Sequence, residues 1–139
     1  MKLNECFSRG LLKRVPVDKE NALRSLELSK SNIDDAEASL GIRRYRVVVV
    51  SSYTAMFHAA RAILFKDGVK ERSHECIPIY INEIYPRLVR VANTLDSYRR
   101  FRYNVMYGLD VFLDEDEARA ALKAAKETLL EIEKMINMD

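Results

Sequence analysis

The stretch Tyr45–Asp67, YRVVVVSSYTAMFHAARAILFKD, decides how the rest of the chain folds. Its opening valines, Val47 to Val50, favour a strand, because β-branched side chains lose rotamer freedom in a helix. Length opposes that reading. A strand of about twenty residues lies far outside the usual range, and Ala55, Met56, Ala59, Ala60 and Ala62 are good helix formers. The stretch reads as one helix ended by Asp67-Gly68. Ser51, Thr54, His58 and Arg61 then recur at helical spacing and form a polar stripe along an apolar rod. A stripe of that kind needs partners, since a guanidinium left buried alone costs several kcal/mol. For Arg61 the expected partners are the acidic start of the last helix and the tyrosines of the helix before it.

Working outward, residues 16–40 carry Leu23, Leu26, Ile33, Ala36 and Leu40 at helical spacing. Pro16 suits a first turn, and Gly41 suits the position just past a helix end. The short connection to residue 45 makes the two helices antiparallel. Residues 1–15 read as a short helix or arm interrupted at Gly10. After Gly68, Ser73 is a plausible cap for a helix from His74 to about Tyr85, with Pro78 in its first turn and Pro86 ending it. A further helix starts at about Arg87 or Leu95 and runs to Tyr107. The last begins at the acidic run Asp114 to Glu117, which complements a helix N-terminus, and carries Ala118, Ala121, Leu122, Ala125, Leu129 and Ile132 on one face. The expected architecture is all-α, an up-and-down bundle of four to five helices in a single domain over residues 1–139.

With 139 residues, four glycines and three prolines, the chain has too few turn formers for a barrel or sandwich. Its 23 basic and 21 acidic side chains leave no strong global field, so anion binding must come from local clusters. One cluster is Arg87, Arg90, Arg99, Arg100 and Arg102, opposed by Asp96; another is Arg43, Arg44 and Arg46. Cys6 and Cys76 are too few and too distant in sequence to imply a disulfide framework and read as reduced thiols. The charged first residues resemble no signal peptide, and no apolar run approaches the ~20 residues needed to span a bilayer. A cytoplasmic protein is expected, with no membrane association.

No phosphate-cradling glycine loop, metal-ligand spacing or nucleophile elbow is present, so no metal and no cofactor is expected. His74, beside Ser73, reads as a surface or capping residue, and His58 as a structural histidine on the stripe. The segment Ser97 to Gly108, SYRRFRYNVMYG, interleaves arginines with Tyr98, Phe101, Tyr103 and Tyr107. Guanidinium groups pair with phosphates and aromatic faces stack on unpaired bases, a combination suited to single-stranded nucleic acid. Tyrosines packed in a core or dimer interface, with solvated arginines, would produce the same composition. Arg100, Asn104 and Tyr107 fall close to one helix face, and Arg102 and Met106 occupy a neighbouring one.

Three stretches resemble the HEPN family. SSYTAMFHAARAILFKDGV followed by ERSHE, from Ser51 to Glu75, is similar to the family's Y-x-A-M-F-H-A-A-R-A core and its downstream S-H. RYNVMYG, from Arg102 to Gly108, resembles its arginine-containing segment ending in Y-G, and the acidic, alanine-rich last helix also matches. The likeness spans roughly residues 16–137 and is strongest to small stand-alone prokaryotic members, often paired with a minimal nucleotidyltransferase as a toxin–antitoxin module. It implies a HEPN-like helical bundle and a homodimer whose arginine motifs face a shared cleft. It also implies RNA or nucleotide binding and, in active members, metal-independent ribonuclease activity on an R-x(4–6)-H motif. In some pairs the partner enzyme adenylylates a tyrosine near that motif.

Carried onto this chain, the likeness implies Arg102 and Tyr107 as catalytic residues, Arg100, Tyr103 and Asn104 as nucleic-acid contacts, and His58 and Arg61 in support. The motif histidine is replaced by Tyr107, and an unperturbed phenol, titrating near 10, is a poor base at neutral pH. A non-catalytic docking module for the nucleotidyltransferase is the alternative implied.

Overall fold

Tyr45–Asp67 forms one continuous helix at the centre of a bundle, in a computed structural model that describes residues 1–138. In chain order the elements are α1 (Leu3–Ser8), β1 (Leu12–Arg14), α2 (Lys19–Gly41), α3 (Tyr45–Asp67), β2 (Val69–Glu71), α4 (Cys76–Ile84), a 3-10 turn (Pro86–Leu88), α5 (Val89–Tyr107) and α6 (Glu115–Met138). Five helices build the bundle expected from the sequence, and α1 is a six-residue addition to it. The valine run is helical throughout, with Val48 and Val49 fully buried. Burial supplies the free energy that local propensity withholds.

Small residues let α3 approach its neighbours closely. Ser29 and Ala36 of α2, Ala55, Ala59 and Ala62 of α3, and Ala118, Ala121 and Ala125 of α6 are wholly buried. The α2 and α3 backbones are also hooked together. Ser25 Oγ donates to the His58 carbonyl at 2.7 Å, and Ser29 Oγ donates to the Ala55 carbonyl at 2.7 Å. The first of these bonds fixes α3 at the residue that carries an imidazole into the site described below.

The N-terminal arm differs from expectation. β1 pairs antiparallel with β2, Leu12 opposite Glu71 and Arg14 opposite Val69, so a small ribbon follows the end of α3. Residues 15–18 are extended because α3 uses their amides: Val15 N donates to Gly68 O and Asp18 N to Phe65 O, each at 2.9 Å. Pro16 therefore lies outside α2, and Asp18 is its cap, accepting from Asn21 N at 3.0 Å. At the other end Gly41 is still helical, and Arg43 takes the left-handed position (φ 59°) that Gly41 was expected to serve. Gly68 ends α3 at φ 73°, where a Cβ would stand 2.6 Å from the Val15 carbonyl oxygen. Only glycine fits there.

Cys6 and Cys76 are joined in a disulfide, with Cα atoms 6.0 Å apart, which corrects the reading of both as reduced thiols. Distance in sequence gave no hint of the pairing. The β1–β2 ribbon folds the arm back so that α1 rests on the start of α4. One narrower reading is corrected: α3 is long and apolar enough to cross a bilayer by length and composition, although no apolar run of that length was expected. Most of that window is buried inside the protein, which accounts for its hydrophobicity.

Pro86 ends α4 as expected and opens the 3-10 turn that leads into α5. Ser73 caps the turn before α4 rather than the helix itself, accepting from Glu75 N at 3.2 Å. Asp114 and Glu117 form a reciprocal capping box on α6: Asp114 Oδ1 accepts from Glu117 N at 2.8 Å, and Glu117 Oε1 from Asp114 N at 3.4 Å.

Candidate functional site

The groups with the strongest chemistry converge where α3 and α5 meet the turn before α4. Tyr53, Thr54, Phe57 and His58 of α3, His74 of the turn, and Arg102 and Met106 of α5 line a cavity of about 260 Å³. Tyr53 Oη lies 2.8 Å from His74 Nδ1. The His74 ring stacks on Phe57 at 4.2 Å between centroids, and the His58 ring meets Phe57 edge-on at 5.3 Å. The Arg102 guanidinium lies over the Tyr53 ring, 4.9 Å from its centroid, and Arg102 Nη1 reaches Met106 Sδ at 3.4 Å. Phe57 and Tyr53 thus form an aromatic floor that orients two imidazoles and one guanidinium.

Charge in this cavity is unbalanced. Among the described residues no carboxylate pairs with Arg102, whereas Arg61 is matched by Glu71 of β2, Nε to Oε1 at 2.9 Å. That corrects the expected partners of Arg61. The β1–β2 ribbon, which the sequence did not announce, delivers Glu71 instead. The pair is an ion pair by proximity, because the Arg61 Nε–H is not aligned on the carboxylate and counts among the unsatisfied buried atoms. His58 Nδ1 and Arg102 Nε are also buried without a hydrogen-bond partner. Orphaned buried polar atoms are rare in folded proteins and tend to gather where a ligand completes them.

Protonation follows from these neighbours. Burial pushes the pKa of His58 below its ordinary value, and the charges of Arg61 and His74 act in the same direction. His74 is lowered by burial of its stacked face and by Arg102, with Glu71 opposing. Both imidazoles are therefore neutral at pH 7, each with one nitrogen able to accept a proton. Burial raises the pKa of Tyr53 against the pull of Arg102, so its hydroxyl keeps its proton. If the Tyr53 oxygen accepts from Nδ1–H, Nε2 of His74 is left as the free base.

The residues expected from sequence divide between two faces of α5. Arg102 points into the cavity, and His58 lines it too. Arg61 stands one turn further along α3 with Glu71. Tyr107 does not join Arg102, because five residues along a helix place two side chains roughly 140° apart. It packs on Tyr103 instead, with 4.8 Å between ring centroids, and both are 60% exposed. Asn104 and Arg100 are exposed as well. Arg100 and Arg99 both bind Asp96, Arg99 through Nε and Nη2 at 3.1 and 3.0 Å. Tyr53, to which the sequence reading assigned no role, and His74, which it took for a surface or capping residue, also line the cavity. Both belong to the motifs that carry the family likeness, the Y-x-A-M-F-H core and the S-H, and that was the available signal.

The fold and site define a helical-bundle protein that sets an unpaired guanidinium beside two neutral imidazoles. Residues 22–135 match the family model described as HEPN domain, and the chain belongs to that family. No curated protein matches it.

Proposed function

We propose that this protein binds single-stranded RNA by a backbone phosphate at Arg102 and cleaves it without a metal. The observation that supports this reading is the unpaired Arg102 guanidinium, fixed on the Tyr53 ring beside the neutral His74 imidazole. Metal-free RNA cleavage needs positive charge on the phosphate, a base for the 2′-hydroxyl and an acid for the departing 5′-oxygen. In this reading His74 takes the 2′-hydroxyl proton as the 2′-oxygen attacks phosphorus. The P–O5′ bond breaks, and the 5′-oxygen takes the proton that the His74 imidazolium now carries, which returns His74 to its neutral form. The products are a 2′,3′-cyclic phosphate and a 5′-hydroxyl. Incubation with structured and transfer RNA in a chelator tests it. Cleavage that survives both Arg102→Ala and His74→Ala would remove this site from the reaction.

The family likeness supports a homodimer and a partnership with a minimal nucleotidyltransferase, the toxin-like half of such a pair being the expected role. A second copy is the occupant we favour for the face running from Tyr103 to Phe112. Leu109 is 97% and Phe112 91% exposed there, beside Tyr103 and Tyr107, and large exposed apolar clusters of this kind mark interaction sites. Light scattering should give twice the chain mass, reduced to one by Phe112→Asp. The other reading is a non-catalytic docking module, which predicts a one-to-one complex with the nucleotidyltransferase on that face and no self-association. Tyr107 and Tyr103, both exposed, are the candidates for adenylylation. An unchanged mass in a reconstituted pair would exclude it. A cytoplasmic setting accords with an RNA target, and both disulfide cysteines are wholly buried, which shields their sulfurs from thiolate attack.

A further inference from the structure

His58 lines the Arg102 cavity, yet the proton transfers assigned to His74 make no use of it. Its ring is neutral at pH 7, because burial and the charge of Arg61 disfavour the protonated form. Nδ1 is buried and has no hydrogen-bond partner. Orphaned buried N–H groups are rarer than orphaned acceptors, so the ring proton belongs on Nε2, and Nδ1 keeps its lone pair. The ring as a whole is half-buried, and Nε2 is not among the buried orphans. It is therefore the nitrogen that opens to the cavity, as a donor.

Thr54 stands one turn before His58 on the same face of α3 and lines the same cavity. Its Oγ1 donates to the Val50 carbonyl at 2.8 Å, which commits its proton and leaves its lone pairs to accept. The cavity thus offers one donor and one acceptor side by side. The wall from there to Arg102 is apolar, built by Val50, Met106 and the rings of Tyr53 and Phe57. No carboxylate lines the cavity among the described residues, and Arg102 is the lining residue that carries a charge. Outside the lining, Arg61 is paired with Glu71 and Arg99 with Asp96. Arg100 shares Asp96 and Glu75 follows His74, one further charge of each sign. The positive charge left over is that of Arg102, enough for one phosphate. A neutral, flat ligand with apolar faces and a donor–acceptor edge suits the remaining walls, and a nucleobase is such a ligand. Its phosphate and its base would share one cavity of about 260 Å³, since Arg102, Thr54 and His58 all line it.

We propose that this cavity is the base subsite for the nucleotide whose 2′-oxygen attacks, its base edge read by His58 Nε2–H and Thr54 Oγ1 while its 3′-phosphate lies at Arg102. The proposal rests on the RNA reading of the Arg102 site. It adds base selectivity to a contact that, through phosphate alone, carries none. His58 then determines specificity and takes no part in the proton transfers.

The test uses the full chain and fluorescein-labelled octamers of A, C and U at several salt concentrations. The wild-type protein should favour one base, and cuts in an RNA of mixed sequence should fall on the 3′ side of that base. Thr54→Val keeps the shape of the side chain and removes the acceptor; His58→Ala removes the donor. Each should weaken binding to the favoured octamer about fivefold, the worth of roughly one net hydrogen bond, and the double variant should bind all three alike. The salt slope should not change, because no phosphate contact is removed. Circular dichroism checks that the variants fold. Nitrogen NMR of the His58 ring separates base reading from packing in the unaltered protein, since Nε2 should shift with the favoured octamer and stay in place with the others. An Nε2 signal unmoved by the favoured octamer, a preference that survives the double variant, or equal binding of all three octamers by the wild type overturns the subsite while leaving the phosphate site intact. No binding of any octamer refutes the RNA reading itself.

Discussion

Tyr53 Oη and His74 Nδ1, 2.8 Å apart, join the central helix to the turn before α4. The bond holds an imidazole over Phe57 and beside the ring on which Arg102 rests. Much of the proposed chemistry depends on that orientation, because a histidine free to rotate at the rim would present its nitrogens at random.

Tyr53→Phe separates orientation from binding. The ring that supports Arg102 remains and the partner of His74 Nδ1 is lost. RNA affinity should stay within about twofold, while cleavage falls on the order of a hundredfold, the scale of one positioned proton-transfer group. Nitrogen NMR of the His74 ring checks the same point without catalysis. The single tautomer of the wild type should give way to a mixture.

Arg102→Ala should weaken binding to every RNA sequence alike and lower the slope of log K against log salt by about 0.7, the value for one phosphate on a single strand. Arg102→Lys keeps the charge but loses the planar stack on Tyr53, so it should restore the slope and not the cleavage. Tyr107→Phe, on the other face of α5, should change neither. An effect of Tyr107→Phe equal to that of Arg102→Ala would place the phosphate elsewhere.

Stability should fall in mild acid. His58 and His74 have folded-state pKa values below their ordinary one, so the unfolded chain binds more protons as the pH drops through about 6.5. The protein keeps this part of its stability above that pH and loses it below, until the lowered folded-state values are reached. Urea midpoints at pH 7.5 and 5.0 measure the loss, and the double variant His58→Asn, His74→Asn should show a smaller one. A bound phosphate should oppose the loss by favouring the charged imidazoles.

Reducing the Cys6–Cys76 disulfide should lower the unfolding free energy by roughly 2–4 kcal/mol, given the long loop it closes. Denaturant melts with and without a phosphine reductant measure this. Cys76→Ser should reproduce the effect and should also loosen His74, two residues away, so that cleavage falls more than RNA affinity does.

The bundle was legible because its signals are local and repeated. Helical spacing in α2 and α6, the length of α3 and the stops at Gly68, Pro86 and Gly108 can each be read within a few turns of chain. The β1–β2 ribbon was not legible. Strands of three residues carry no periodicity, and their pairing depends on how residues 15–18 bond to the end of α3. The disulfide and the Arg61–Glu71 pair are both consequences of that ribbon and were hidden with it. The site was half legible. Arg102 stood out by type and His58 by its place on the stripe, but His74 looked like an ordinary capping residue.

The sequence by itself determined that this chain is a helical bundle around Tyr45–Asp67, and that its basic, aromatic segment lies on one helix, because periodicity and chain stops act over short distances. Only the tertiary structure decided which face of that helix meets the histidines. Arg102 and Tyr107 are five residues apart, and helix geometry turns them to different faces. Arg102 and His74, distant in sequence, are brought together by the packing of α3 against α5 and by the turn that carries His74 back over Phe57.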